Sequence, residues 1–198
     1  MASLIAAARD PAYPADIALV LSNRADAAGL TLARDAGIEA RAIDHRSFGR
    51  DRGAHEAAIH AVLTAAGIEI VCLAGYMRLL TPFLVGAWRG RMLNIHPSLL
   101  PSFPGLHTHA RAIAAGVKLH GCTVHLVTEQ MDEGPILAQA AVPVLPDDTD
   151  GSLAARVLAQ EHAIYPAALA ALASGQPAAA AQAAAALLNP LPYGAGLP

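Results

Sequence analysis

Three strand-length runs in this chain are apolar almost from end to end: DIALVL (Asp16–Leu21), IEIVCLAG (Ile68–Gly75) and RMLNI (Arg91–Ile95). A strand with one face in water alternates apolar and polar residues. A run that does not alternate must be covered on both faces. Segments with helical spacing separate these runs, from about Asp26 to Ala36, over Arg52–Ala66, and briefly near Pro82–Trp88. Covered strands alternating with helices predict an α/β fold: an open, mainly parallel sheet flanked by helices.

The punctuation agrees with that reading. Asp26 is expected to cap the first of these helices, and Gly37 and Gly67 to end the first and second. IEARAI (Ile38–Ile43) reads as another strand. GCTVHLVT (Gly121–Thr128) and ILAQAAVPV (Ile136–Val144) read as two more, joined by a short polar loop. A long helix is expected from about Ser152 to Ala173, and the opening MASLIAAARD also reads as helix. One domain is expected over residues 1–175, followed by an Ala- and Pro-rich segment over 176–198.

Composition excludes several functions. Hydrophobic residues make up 55% of the 198 and charged residues 15%, which suits one sizeable core. The net charge of −3 leaves no basic footprint for nucleic acid. No apolar run reaches the length of a membrane span, and the N-terminus lacks the order of a signal peptide. No membrane partner is expected, and the location is expected to be cytoplasmic. Cys72 and Cys122 lie in apolar runs and read as buried, reduced thiols.

The stretch MLNIHPSLLP (Met92–Pro101) is where chemistry enters. Ligands of an open parallel sheet bind beyond the carboxyl ends of its strands. Asn94 and His96 lie at such an end, two residues apart and so on one face of a strand. An amide and an imidazole together can hold an oxygen on which negative charge develops. A His at a strand end commonly serves only a structural bond; the Asn two positions earlier is what sets this one apart. MDEGP supplies Asp132, a carboxylate able to orient the imidazole, although the same residues also make an ordinary turn. His107, His109, His120 and His125 raise the question of a metal. No Cys or carboxylate stands around them with zinc spacing, so no metal site is expected. GYMRLLTP (Gly75–Pro82) follows a buried strand and offers backbone groups to a flat heterocycle. Met77, Leu79 and Leu80 would equally serve as core. Arg50 and Arg52 read as solvated surface charges.

Taken in order, NIHPSLLP, PGLHTH, HGCTVH, MDEGPI and QEHAIYP resemble the phosphoribosylglycinamide formyltransferases, the folate-dependent transferases of purine synthesis. The resemblance runs from about Ala2 to Gly175 and implies a Rossmann-like formyltransferase fold. It implies transfer of a formyl group from 10-formyltetrahydrofolate, a co-substrate, to the amine of glycinamide ribonucleotide, without a metal. Asn94, His96 and Asp132 match that family's catalytic trio. Met77, Arg78 and Leu79 match one wall of its folate pocket, and Thr128, Glu129, Gln130 and Met131 the other. Gly105, His107 and Glu161 match its ribonucleotide site. His109 matches the loop near the active centre with Gly105 and His107, and His125 reads as a supporting partner of the catalytic loop. The resemblance implies small-molecule partners and a monomer or a homodimer.

This sequence departs from the pattern at its start. The family opens with a strand and a glycine-rich turn, ending Gly-Ser-Asn, that cradles the substrate phosphate. Here Met1-Ala2-Ser3-Leu4 matches the first helical turn after it. The first, central strand is therefore expected to be missing, and the natural start to lie about a dozen or more residues upstream, with Met1 an internal methionine. Each lost ladder bond would cost on the order of 1 kcal/mol. The expectation is a chain that folds poorly and binds the ribonucleotide weakly. Two other readings compete: a formyltetrahydrofolate deformylase, in which water replaces the amine, and a non-catalytic folate-binding protein. A methionyl-tRNA formyltransferase would need a basic tRNA-binding domain that is not present.

Overall fold

The computed structural model describes residues 1–175; the Ala- and Pro-rich segment expected over 176–198 lies outside the described residues. The chain divides into two units. Unit 1 holds Met1–Asn94 and Leu126–Gly134; unit 2 holds Ile95–His125 and the chain from Pro135 onward. The expected α/β composition is present.

Unit 1 opens with helix α1 (Ala2–Ala7), which buries Leu4 and Ile5. Strand β1 (Leu19–Ser22) then pairs in parallel with β2 (Glu39–Ala42) across helix α2 (Ala28–Asp35). Asp26 does not cap α2 as expected. Ala27 holds the N-cap without a side-chain bond, while the Asp26 carboxylate takes both Arg24 Nε and Nη2. A two-pronged guanidinium two residues away outcompetes a single backbone N–H. Asp51 does cap α3 (Arg52–Ala65), accepting the Ala54 N–H at 2.9 Å. Gly37 and Gly67 end α2 and α3 at φ of 75° and 66°, as expected of residues that enter the left-handed region without a Cβ penalty.

Strand β3 (Val71–Leu73) pairs in parallel with β4 (Met92–His96) across α4 (Pro82–Ala87). The register sets Val71 beside Met92, Cys72 beside Leu93 and Leu73 beside Asn94. Leu63, Leu84, Trp88 and Met92 form the buried centre of this unit, with Leu21, Ile59, Val71, Leu73 and Val127 packed around it. Each such buried side chain contributes roughly 1.5–3 kcal/mol. β3 is three residues long where eight were expected. The apolar run continues, but its backbone leaves the ladder before Gly75, which sits at φ 70°.

Unit 2 pairs strand β5 (Leu119–Leu126) with β6 (Ile136–Pro143) in antiparallel fashion. Helix α6 (Asp150–Ala173) lays Leu153, Val157, Ile164, Tyr165, Ala168 and Leu169 into the unit's core. Its start is a reciprocal box: Thr149 Oγ1 accepts the Ser152 N–H at 3.1 Å, and Ser152 Oγ accepts the Thr149 N–H at 3.0 Å. Arg156 reaches back to Asp148 with bonds of 2.8 and 2.9 Å, and this pairing holds the Asp148 carboxyl well below the ordinary carboxylate range. Helix α5 (Thr108–Ala114) was not anticipated from the sequence. Cys72 is half-buried and Cys122 buried; both are free thiols.

Gly121, in β5, permits close strand contact. A Cβ there would lie 2.0 Å from the Ala140 carbonyl oxygen and 2.9 Å from Leu99 Cδ2. The backbone of a buried ladder cannot yield cheaply, so Gly121→Ala is expected to destabilise the protein by about 1–3 kcal/mol or more. Urea unfolding, read as a lower midpoint at unchanged slope, checks this.

Candidate active site

β4 ends in the two polar residues that the sequence singles out. Asn94 is half-buried and His96 is 6% exposed. His96 Nε2 lies 3.1 Å from the Phe103 carbonyl oxygen. A carbonyl can only accept, so Nε2 carries the proton and donates. The neutral ring then has its lone pair on Nδ1, and the protonated ring donates from both nitrogens.

That carbonyl is held in place by a folded loop. Pro97–Phe103 contains the Leu100–Pro101 cis bond and ends at Phe103 with φ 55°. Thr123 Oγ1 is its hub. It donates to the Ser98 carbonyl at 2.7 Å and accepts the Leu100 N–H at 3.0 Å. Gln139 Nε2 adds bonds to Leu100 O at 2.8 Å and to Thr123 Oγ1 at 3.0 Å. Thr108 Oγ1 donates to Pro97 O at 2.7 Å, and Ser98 Oγ to Ser102 O at 2.6 Å. The Phe103 ring sits 5.8 Å from the His120 ring and 5.6 Å from the Arg111 guanidinium carbon. Arg111 also donates to the Pro104 carbonyl. A bulky residue at positive φ is strained, and these contacts offset the strain.

The sequence reading missed this scaffold. Thr108, Thr123, Gln139 and Ser98 look like ordinary polar residues in strands and turns. Only the β5–β6 register, which sets Thr123 opposite Gln139, brings the last two strand residues together.

The histidines pair with one another. His120 Nε2 and His109 Nδ1 are 3.1 Å apart, one donating and the other accepting. Burial, followed by the His109 neighbour, pushes His120 down to about 4. Burial also lowers His109. His125 is buried on β5, beside an irregularity in the ladder after Val124. Among the described residues, no group of three or more His, Cys, Asp or Glu side chains is arranged to hold a metal ion. No described helix is long and apolar enough to cross a membrane.

Asp132 belongs to unit 1, as does Asn94, whereas His96 lies in unit 2. Asp132 is half-buried at φ 60° in a loop of Leu126–Gly134. The base of that loop is tied to β4, because the Val127 N–H donates to Met92 O at 2.8 Å. Gly134 closes it tightly: a Cβ there would meet Leu126 O at 1.7 Å. Thr128 Oγ1 donates to Gln130 O at 3.1 Å, while Glu129, Gln130 and Met131 are exposed. Met77 and Leu79 are 75% and 60% exposed, and Arg78 is half-buried. They follow β3, whose Leu73 is the ladder partner of Asn94. The segment that carries them therefore leaves the sheet beside the polar end of β4. Arg50 and Arg52 are exposed, as the sequence suggests.

In unit 2, Gly105 and His107 lie in the turn leading into α5, at φ of 77° and 56°, with His107 exposed at its N-cap. Glu161 is half-buried on α6; burial raises its carboxyl above the ordinary value. Its charge faces Cys122, whose thiol is pushed up to about 12, chiefly by burial. β4 thus carries an imidazole of set tautomer and an amide on one strand, and within unit 1 the segment after β3 carries exposed apolar side chains.

The formyl transferase family model matches residues 1–169. The phosphoribosylglycinamide formyltransferase of Escherichia coli is 48% identical over 147 residues, covering 74% of this chain and 69% of that protein. The trifunctional purine biosynthetic protein adenosine-3 of Drosophila melanogaster is 48% identical over 175 residues. That match covers 87% of this chain but only 13% of the trifunctional protein. Among solved structures, the phosphoribosylglycinamide formyltransferase of Brucella melitensis superposes with a TM-score of 0.84 at 56% identity, covering 89% of this chain and 91% of that one.

The depressed His120 sets a pH dependence of stability. Its folded value of about 4 lies below the ordinary 6.5, so between these values the unfolded chain binds a proton that the folded chain refuses. Stability is fully present above about pH 6.5 and is expected to fall, by on the order of 2–3 kcal/mol, as the pH drops to 4. Denaturant unfolding across pH 4–7 checks this, and His120→Gln should flatten the profile in that window.

Proposed function

The chain belongs to the formyl transferase family, and from that membership we propose that it transfers a formyl group from 10-formyltetrahydrofolate to the amine of glycinamide ribonucleotide, a step of purine synthesis. The observation that carries this reading is the end of β4, where Asn94 and a His96 of set tautomer occupy one face of the strand. The identities of 48% and 56% to proteins named for that reaction support it.

In this mechanism the amine of the ribonucleotide attacks the formyl carbon. A new C–N bond forms and the carbonyl electrons move onto oxygen. Protonated His96 and the Asn94 amide donate to that oxygen as it becomes charged. Donors aimed at a developing oxyanion each contribute on the order of 10²–10³ in rate. Asp132, the third member of the proposed trio, receives through water the proton that the amine gives up. The intermediate collapses when the bond to the folate nitrogen breaks, and that nitrogen takes a proton. The oxygen returns to a carbonyl on the ribonucleotide.

The proposed binding roles follow the same logic. Met77, Arg78 and Leu79, with Thr128–Met131, receive the folate heterocycle. Gly105, His107 and Glu161 receive the ribonucleotide. His109 and His125 support the active centre from behind. The Phe103 carbonyl adds one further element, because it accepts the Nε2 proton of His96 and so orients the ring.

The test follows folate absorbance with and without glycinamide ribonucleotide. Formyl transfer is expected only when the ribonucleotide is present. His96→Ala should lower turnover by about 10²–10⁴ with unchanged thermal unfolding. Equal folate production without the ribonucleotide would replace the transferase by a hydrolase. Folate binding with neither reaction would leave a binding protein.

A further inference from the structure

We propose that Glu56, on α3, is a positioning residue that fixes the segment Tyr76–Leu80 as a rigid ledge for the heterocycle of the formyl donor. The proposal rests on the functional reading above for the identity of the ligand.

Glu56 is 2% exposed, which is unusual for a carboxylate and unfavourable unless its oxygens are bonded. Both oxygens accept the Thr81 backbone N–H, at 2.9 and 3.1 Å, and one also accepts the Thr81 hydroxyl. All three bonds therefore converge on the residue that ends the segment. Thr81 is the N-cap of α4, where a threonine hydroxyl ordinarily accepts an N–H of the first helical turn. No such side-chain bond forms here. The hydroxyl is turned to Glu56 instead, so helix capping has yielded to anchoring.

The same carboxylate bears on the other end of the segment. Tyr76 is half-buried, and its phenol is raised above its ordinary value by burial first and by the Glu56 charge second. Between the two ends the exposure alternates. Met77 and Leu79 point outward, 75% and 60% exposed, while Tyr76, Arg78 and Leu80 are half-buried. Leu80 packs on the cluster around Trp88. This is the period of an extended chain.

The segment nevertheless belongs to no sheet. Among the described residues, none of the backbone–backbone bonds outside helices and strands involves Gly75–Leu80. Two large apolar side chains are thus held in water on a stretch whose own backbone bonds do not fix it. What fixes it is a buried carboxylate at one end, a strand ladder at the other and one inward leucine. Such a stretch offers a flat, preorganised apolar edge with backbone donors and acceptors beside it. Preorganisation lowers the ordering cost of binding a rigid ring.

The test uses the full chain and four proteins: wild type, Glu56→Gln, Thr81→Val and Thr81→Ser. Glu56→Gln keeps the size but puts an amide nitrogen where an acceptor is needed. It is expected to raise the KM for 10-formyltetrahydrofolate tenfold or more, with kcat and the ribonucleotide KM within about twofold of wild type. Thr81→Val should share the direction, and Thr81→Ser, which keeps the hydroxyl, should restore the wild-type KM. Trypsin cleavage after Arg78 should be faster in Glu56→Gln, a readout that needs no folate. An unchanged donor KM in a folded Glu56→Gln overturns the proposal, as does a loss of kcat and both KM values in step with a lowered melting temperature. Should Glu56→Gln not fold, an unchanged donor KM in Thr81→Val overturns it. A wild-type chain that binds no folate overturns the functional reading and takes the ledge with it, whereas wild-type folate binding with slow, unaltered cleavage in the variant removes Glu56 alone.

Discussion

A backbone carbonyl facing a ring nitrogen is the constraint on which the proposed chemistry of this molecule depends. The Phe103 oxygen, 3.1 Å from His96 Nε2, cannot donate, so it decides where the imidazole proton sits. A catalytic imidazole gains from such a partner because its reactive nitrogen is then defined before any substrate arrives. The carbonyl itself is positioned by a residue at positive φ, and that conformation persists only because its surroundings over-determine it. Thr123, Gln139, Thr108 and Arg111 are those surroundings. They form a chain of bonds from β5, β6 and α5 back to the loop after β4.

This explains what could be read from the amino-acid sequence and what could not. The apolar run over 91–95 announces a largely covered strand, whereas those over 16–21 and 68–75 hold strands that are shorter than expected and only half-buried. Asn94 and His96 are legible because polar groups interrupt a pattern that should exclude them. Thr123 and Gln139 interrupt their own apolar runs in the same way, yet alternation disguises them as solvent-facing residues. Their role exists only in the register, which is a long-range property. Helix α5 escaped because it has seven residues, follows a left-handed His107 and shows too few turns for a helical period to emerge. Asp26 was misjudged as a cap because a local Arg24 offered two donors in place of one.

Buried polar groups are arranged differently in the two units, and the difference follows from their partners. In unit 2 the buried histidines meet each other, so neither gains from charge, and burial drives His120 toward neutrality. In unit 1 the oxygens of the buried Glu56 accept the Thr81 N–H and hydroxyl instead. A neutral histidine pair can serve as packing around Phe103 without placing a competing cation near His96. A hydrogen-bonded anchor gives the segment directional bonds that packing alone would not.

The parallel register then joins the two themes. Leu73 of β3 lies beside Asn94 of β4, and neighbouring strands are spaced by about 4.8 Å. The chain after Leu73 becomes the segment anchored by Glu56, and the chain after Asn94 leads to His96. Groups leaving the carboxyl ends of adjacent parallel strands emerge side by side without any further device. In the proposed function a ring resting on Met77 and Leu79 would lie on the segment that leaves the ladder beside Asn94, and a one-residue slip in that register would turn Asn94 to the opposite face. The short β3 fits the proposed function: ending the ladder at Leu73 would free the following backbone for a ligand at the level of Asn94.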